Sequence, residues 1–239
     1  MFKLTERMAL IASRVRKNSI ICDVGTDHAH IPVYLVKTGW VSRALVTDIV
    51  PGPLRMAAAM IDKYCLADKI SIKMTDGLND VTSSDAEDFI IAGMGGELIA
   101  GIIEGAEWLR DEGKRLILQP MTEAGHLREY LNTHGFKIVD ESLVKERKKI
   151  YVVITAEYGS EEPVTILTKL VGKRLIEKKD PLLKDYVGVL IRHYEKMHEG
   201  LKRSKNKTCS SDAAEAERIL SALVEFNRGI GVEKNKRNI

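Results

Sequence analysis

Ile20-Ile21-Cys22-Asp23-Val24-Gly25-Thr26-Asp27-His28-Ala29-His30-Ile31-Pro32 is the stretch on which the fold of this chain turns. An apolar run stops at an acid-x-Gly turn, and a helical pattern begins just beyond it. In open α/β sheets such a strand-to-helix junction is where nucleotide-like ligands dock.

The same alternation recurs on both sides of this junction. Leu4, Met8, Ile11 and Val15 stand at helical spacing, which predicts a helix over residues 4–17. Residues 20–24 read as a buried strand, 31–37 as a helix and 44–48 as a second strand. Pro51 and Pro53 suit the opening turn of a helix running to about Cys65. Residues 70–74 and 88–92 give two more strands, the second followed by Gly93-Met94-Gly95-Gly96 and a helix to about Leu109. A fifth strand over 115–118 ends at Gln119-Pro120, and 123–134 is helical. Residues 136–143 and 150–156 have strand character and are joined by a charged turn over 145–149. With no helix between them, they predict an antiparallel pair closing the sheet. The fold class is α/β, a doubly wound Rossmann-like sheet.

The pattern changes near Gly159-Ser160-Glu161-Glu162-Pro163, beyond which no strand signal remains. A helix is expected over 164–178, and Asp180-Pro181 reads as a helix start with Asp as N-cap. Leu183, Val187, Leu190, Tyr194, Met197 and Leu201 then form a heptad seam. Ser204–Ser211 reads as a polar connector, and Asp212 with Glu215 as a capping box for a last helix lined by Ile219, Leu223, Phe226 and Ile230. Residues from Glu233 onward are expected to fray. The division is therefore a first domain over 1–159 and an α-helical, coiled-coil-like hairpin over 160–239.

A chain of 239 residues with 44% apolar and 30% charged residues suits one full domain with an appendage. No segment approaches the ~18 apolar residues of a membrane span, and the N-terminus lacks a secretory cleavage pattern. Cys22, Cys65 and Cys209 are odd in number and scattered, forming neither a disulfide framework nor a C-x-x-C metal pair. No metal and a reduced, cytoplasmic setting are expected. The net charge is only +3, but residues from Glu161 onward hold 17 Lys and Arg against 12 Asp and Glu. The positive end of the molecule is its tail, which makes an anionic partner such as nucleic acid plausible.

Ligands in such a sheet sit beyond the carboxyl ends of the strands. After the first strand comes Asp23-x-Gly25-x-Asp27, where Gly25 allows a sharp turn and close backbone approach. After the second comes Asp48-Ile49, and a carboxylate there can accept from both hydroxyls of a ribose. After the third, Asp76-Gly77-Leu78 offers an acid for an adenine amino group and an apolar side chain for its ring. After the fourth, Gly93-Met94-Gly95 offers a bare backbone to a flat ligand. Taken singly, Asp48 is equally a turn cap and Asp76-Gly77 an ordinary turn dipeptide. Four consecutive strand ends carrying these types in this order point to a ligand. A dinucleotide would want G-x-G-x-x-G, but Asp27 and His30 fill the second and third glycine positions. Asp27 repels a pyrophosphate and suits the sulfonium and ammonium of S-adenosylmethionine. The terminal antiparallel pair points the same way.

Asp23-Val24-Gly25-Thr26-Asp27-His28-Ala29-His30-Ile31-Pro32, Ala92-Gly93-Met94-Gly95-Gly96 and Leu118-Gln119-Pro120 resemble the signature blocks of the bacterial tRNA (adenine-22-N1)-methyltransferase family. The resemblance includes the helical extension and so covers essentially the whole chain. It implies a class I S-adenosylmethionine-dependent methyltransferase domain followed by a coiled-coil-like domain, with tRNA as partner. On it, Asp23, Gly25 and Thr26 face the methionine part of the cofactor, Asp48 and Ile49 the ribose, and Asp76, Gly77 and Leu78 the adenine. Gly93, Met94 and Gly95 lie beneath the transferring methyl. His30 joins the cofactor set, and Arg7 is a candidate for the cofactor carboxylate. General amino-methyltransferases place Asp/Asn-Pro-Pro-aromatic after the fourth strand. Gly93–Gly96 stands here instead and removes that acceptor-base clamp.

Adenine N1 has an available lone pair, and its methylation creates a cationic base that a carboxylate stabilises. Asp27 is the candidate for that carboxylate, with His28 or His30 contacting the base or moving a proton. N1 lies on the pairing edge, so a paired target must flip out of its helix. Phosphate contacts are expected from Lys169, Lys173, Arg174, Lys178 and Lys179 and from Arg192, Lys196, Lys202, Arg203, Lys205 and Lys207. A monomer is favoured. Two other classes stand beside this reading: a class I methyltransferase acting on a small molecule or protein, and a non-catalytic RNA-binding or dimerisation protein.

Overall fold

A computed structural model describes residues 2–203 and 209–235. They divide into two compact units at Pro163–Val164, four residues beyond the boundary read from the sequence.

The first unit is built on seven strands: β1 (Ile20–Val24), β2 (Arg43–Asp48), β3 (Ile70–Met74), β4 (Asp88–Gly95), β5 (Arg115–Thr122), β6 (Phe136–Glu146) and β7 (Lys149–Tyr158). Their order across the sheet is β3-β2-β1-β4-β5-β7-β6. The strands β1 to β5 pair in parallel, and β7 runs antiparallel between β5 and β6. Helices α1 (Glu6–Ala12), α2 (His30–Lys37), α3 (Pro51–Lys63), α4 (Gly96–Glu104) and α5 (Ala124–Thr133) flank the sheet. The strand order reverses at β1, where the chain returns from β3 to enter β4 on the opposite side. That reversal opens a crevice over the carboxyl ends of β1 and β4.

Strands β1, β2, β4 and β5 are largely buried because both faces are covered, whereas the edge strand β3 is mostly exposed. Ile21, Phe89, Ile90, Ile91, Ile117 and Leu118 are fully buried, each worth about 1.5–3 kcal/mol as a buried aliphatic or aromatic side chain. Asp88, fully buried at the start of β4, accepts from the Arg16 backbone N–H and from Arg16 Nε, both at 2.7 Å. This clasp accounts for the shortness of α1. The helix opens at Thr5, whose hydroxyl accepts from Met8 N–H, and stops at Ser13 so that the chain can turn onto Asp88. The expectation of a helix over 4–17 is corrected accordingly. Strands β4 to β7 all outlast the boundaries read from the sequence. Gly93, at φ +80°, makes a bulge through which β4 stays paired to β5 as far as Gly95–Thr122. Pro120 sits within that irregular stretch, where its missing N–H is tolerated.

In the second unit, a wide helical turn over Thr168–Gly172 breaks at Gly172 (φ +104°) before α6 (Lys173–Glu177). The single helix expected over 164–178 is thus interrupted. Helix α7 (Leu183–Arg203) starts two residues after Pro181, because Asp180 Oδ1 accepts from Leu182 N–H in a preceding turn. Helix α8 (Cys209–Asn235) begins three residues before Asp212, which therefore lies in the first turn and is no N-cap. Glu215 pairs with Arg218 at 2.7 Å instead of closing a capping box. The two long helices pack along each other, with Val187 and Leu223 fully buried, and His198 Nδ1 lies 3.0 Å from the Ala213 carbonyl. The backbone is helical through Asn235, beyond where fraying was expected. Residues 204–208 of the expected connector, with Lys205 and Lys207, and residues 236–239 lie outside the described residues. Among the described residues no helix is long and apolar enough to cross a membrane.

Candidate active site

Asp23, one residue from the end of β1, is 7% exposed, and burial pushes its carboxyl up to about 6 against a lowering hydrogen bond with Thr26. Just beyond it, Gly25 takes φ +71°. The Gly25 and Thr26 N–H groups donate to the Thr47 carbonyl of β2 at 2.8 and 3.0 Å, which fixes the turn to its neighbour strand. Thr26 is buried and its hydroxyl accepts from Ala29 N–H at 3.0 Å. Ala29 itself is left-handed, φ 54°, at the N-cap of α2. The bonds on either side make Asp27-His28 the exposed tip of a braced loop.

The Asp27 side chain is 83% exposed, and its Oδ2 lies 3.4 Å from His28 Nε2. The His28 ring stacks on His30 with centroids 5.3 Å apart, and Phe2 packs on His30 at 5.5 Å. His30 Nδ1 is buried with no hydrogen-bond partner. Burial, then the neighbouring His28, hold the His30 pKa below its ordinary value against the opposing Asp27 charge.

At the end of β2, Asp48 Oδ1 accepts from Val50 N–H at 2.7 Å, so the turn-capping role open to this residue is realised. Its backbone carbonyl accepts from Thr75 N–H at 3.1 Å, which draws the turn after β3 alongside. Asp76 is exposed there, Gly77 takes φ +56°, and Leu78 is buried while Ile49 stays 59% exposed. On β4, the exposed Gly93 backbone precedes Met94, and a Cβ on Gly25 would lie 2.0 Å from Met94 Cε. The turn after β1 therefore packs on Met94 of β4, and the left-handed φ at position 25 favours glycine.

Arg7 is committed to a cluster that the sequence did not reveal. Its Nη1 donates to the buried Gln119 Oε1 at 3.0 Å and lies 3.3 Å from Met121 Sδ. Its guanidinium sits 4.9 Å over the Tyr151 ring, and its backbone N–H donates to Glu146 Oε2 at 3.3 Å. The Thr5 hydroxyl bond, against burial, and then the Arg7 N–H and the Arg7 and Arg147 charges, hold the Glu146 carboxyl below its ordinary value. In register, Gln119 of β5 pairs with Ala92 of β4, next to Gly93. The only local signal for Gln119 was a polar residue closing an apolar strand before proline. Glu146 is 139 residues from Arg7 and carried none.

The crevice thus combines a buried acid, an exposed acid beside two imidazoles, and bare glycine backbone. A carboxyl pushed up by burial fits an incoming ammonium, and no Lys or Arg stands in the β1 turn to hold a pyrophosphate. A family model described as a methyltransferase domain matches residues 4–154. A tRNA (adenine(22)-N(1))-methyltransferase of Bacillus subtilis is 30% identical over 93% of this chain and 98% of its own length. The crystal structure of the B. subtilis M1A22 tRNA methyltransferase TrmK superposes with a TM-score of 0.84 at 28% identity, over 94% of this chain and 99% of that one. Streptococcus pneumoniae Sp1610 in complex with S-adenosyl-L-methionine does so with a TM-score of 0.72 at 29% identity, over 91% of this chain and 100% of that one. This chain belongs to the tRNA (adenine-22-N1)-methyltransferase family.

Proposed function

We propose that this protein transfers the methyl group of S-adenosylmethionine to N1 of adenine 22 in tRNA, in the cytoplasm. The reading is carried by one observation: in a chain of this family, acids stand at the carboxyl ends of the neighbouring strands β1 and β2 and after β3, and the β1 turn packs at Gly25 against Met94 in the glycine segment of β4. Asp23 holds the ammonium of the cofactor's methionine part over the backbone of Gly25 and Thr26, Asp48 and Ile49 hold the ribose, and Asp76, Gly77 and Leu78 frame the adenine. His30 packs behind this set. Gly93, Met94 and Gly95 support the reacting centre. Arg7, steadied by Gln119 and Tyr151, faces the cofactor carboxylate. When bound, the sulfonium supplies an electrophilic methyl.

The chain's own work is to position the base and to accept the charge that forms on it. N1 attacks with its lone pair, so no strong base is required. The adenine becomes cationic, and the exposed Asp27 carboxylate, paired with His28, stabilises that charge. Residues 1–159 are the catalytic domain. The helical unit holds tRNA through its cations, of which Lys178, Lys179, Arg192, Lys196, Lys202 and Arg203 are exposed.

Incubation with labelled S-adenosylmethionine and unmodified tRNA, followed by mapping of the modified base, tests the reaction. Label on N1 of adenine 22 is expected, and label elsewhere or no transfer overturns the reading. Asp27→Ala is expected to lower turnover by about 100-fold or more with cofactor affinity retained. Full turnover by that variant removes Asp27 from the mechanism.

A further inference from the structure

The turn joining β6 to β7 carries four cations in five residues, Lys145, Arg147, Lys148 and Lys149, interrupted only by Glu146. All four are exposed, and none makes an ion pair within 4.0 Å among the described residues. The acid among them is already used, since Glu146 accepts from the Arg7 backbone N–H. The turn therefore presents a net positive charge, with Glu146 the one acid among its cations.

Its place in the sheet gives that charge a purpose. Strand β7 runs antiparallel to β5, with Leu118 opposite Ile154, so the β6–β7 turn rises at the carboxyl edge of β5. The register Lys145–Ile150 and Glu146–Lys149 leaves Arg147 and Lys148 as the tip. The tip is six residues beyond Ile154, roughly 20 Å of strand. The same hairpin contributes Tyr151 and Glu146 to the cluster around Arg7 and Gln119, and Gln119 adjoins the Ala92–Gly93 backbone of the crevice. The post is thus rigidly tied to the candidate active site through packed side chains within one unit.

Arg147 adds an independent observation. It is held at φ 55°, a conformation that disfavours residues with a Cβ and suits glycine or asparagine. Packing does not demand arginine there, since the side chain is exposed. Arginine at this position therefore adds a long cationic side chain at the tip, where the backbone alone would suit glycine.

We propose that this hairpin tip is a phosphate clamp for the RNA substrate, gripping the sugar–phosphate backbone next to the adenine that enters the crevice. The proposal rests on the reading of tRNA as substrate. It assigns to the catalytic unit a share of RNA binding separate from that of the helical unit. Lys145, Arg147, Lys148 and Lys149 read charge, not sequence, so their contribution appears as salt dependence.

The test is tRNA binding by the full-length chain across a salt series. Replacing Lys145, Lys148 and Lys149 with Gln and Arg147 with Asn is expected to weaken binding at least about tenfold and to flatten the slope of log affinity against log salt by about three. Affinity for S-adenosylmethionine is expected to stay unchanged. Arg147→Gly guards against a folding artefact, because it relieves the strained φ: its Tm is expected to be equal or higher while the salt slope falls by about 1. Wild-type affinity and slope in both variants overturn the clamp. If the wild-type chain neither binds nor methylates tRNA, the underlying substrate reading fails instead.

Discussion

Asp23 is the residue whose chemistry is most exposed to test. Its carboxyl is raised to about 6 by burial, so in the free protein its ionisation opposes folding. The sign follows from linkage. A group whose folded pKa lies above its unfolded value favours folding below the unfolded pKa of about 3.9 and loses that contribution as pH rises through 6. An incoming ammonium supplies the missing counter-charge and favours the ionised form. Cofactor affinity is therefore expected to fall as pH drops from 7 to 5, as Asp23 takes up a proton. Asp23→Asn separates the two roles. At pH 7.5 its Tm without cofactor is expected to equal or exceed that of wild type, while calorimetry shows affinity for S-adenosylmethionine weakened at least about tenfold, the factor for 1.4 kcal/mol. Unchanged affinity removes Asp23 from the cofactor set.

At the scale of elements, two glycines show how turns are fitted to helices and strands. Gly25 is left-handed, and a Cβ there strikes only the end of the flexible Met94 side chain. Gly96, which opens α4, has ordinary φ, but a Cβ would lie 2.3 Å from the Glu123 carbonyl oxygen that precedes α5. Side-chain ends move and backbone does not. Gly96→Ala is thus expected to destabilise by about 1–3 kcal/mol through overpacking, read as the larger loss of Tm of the two. Gly25→Ala is expected to cost about 1–2 kcal/mol through its φ and to lose cofactor affinity as well, since it displaces Met94 from the crevice. An equal loss of affinity in both variants contradicts this division. The strands themselves were legible because a doubly covered strand leaves an apolar run, as Phe89–Ala92 and Leu116–Leu118 do. The helix boundaries were not. Asp212 has the composition of a cap, yet it lies within the first described turn of α8. Arg128 and Glu141 look like solvated charges in sequence but pair at 2.6 Å, fully buried, between α5 and β6. Such pairings join residues distant in the chain and leave no periodic trace.

For the whole molecule, a single cut tests the proposed division of labour between the two units. The core that runs from Leu4 to Val153 lies entirely within the first unit, and so do all the residues assigned to the cofactor. A chain ending at Pro163 is expected to bind S-adenosylmethionine as the full-length protein does. It loses Lys169 through Arg203 and with them the larger share of the cations proposed to meet tRNA phosphates. It keeps Lys145, Arg147, Lys148 and Lys149. Binding of tRNA by the fragment is thus expected to be at least about tenfold weaker than in the full chain. Its residual salt slope is expected to correspond to at most about four phosphate contacts, a slope that removal of the hairpin cations then abolishes. Methylation undiminished in the fragment would show that the helical unit does not hold the substrate. Complete loss of salt-dependent binding in the fragment would place every phosphate contact there, and the hairpin would have no part in binding.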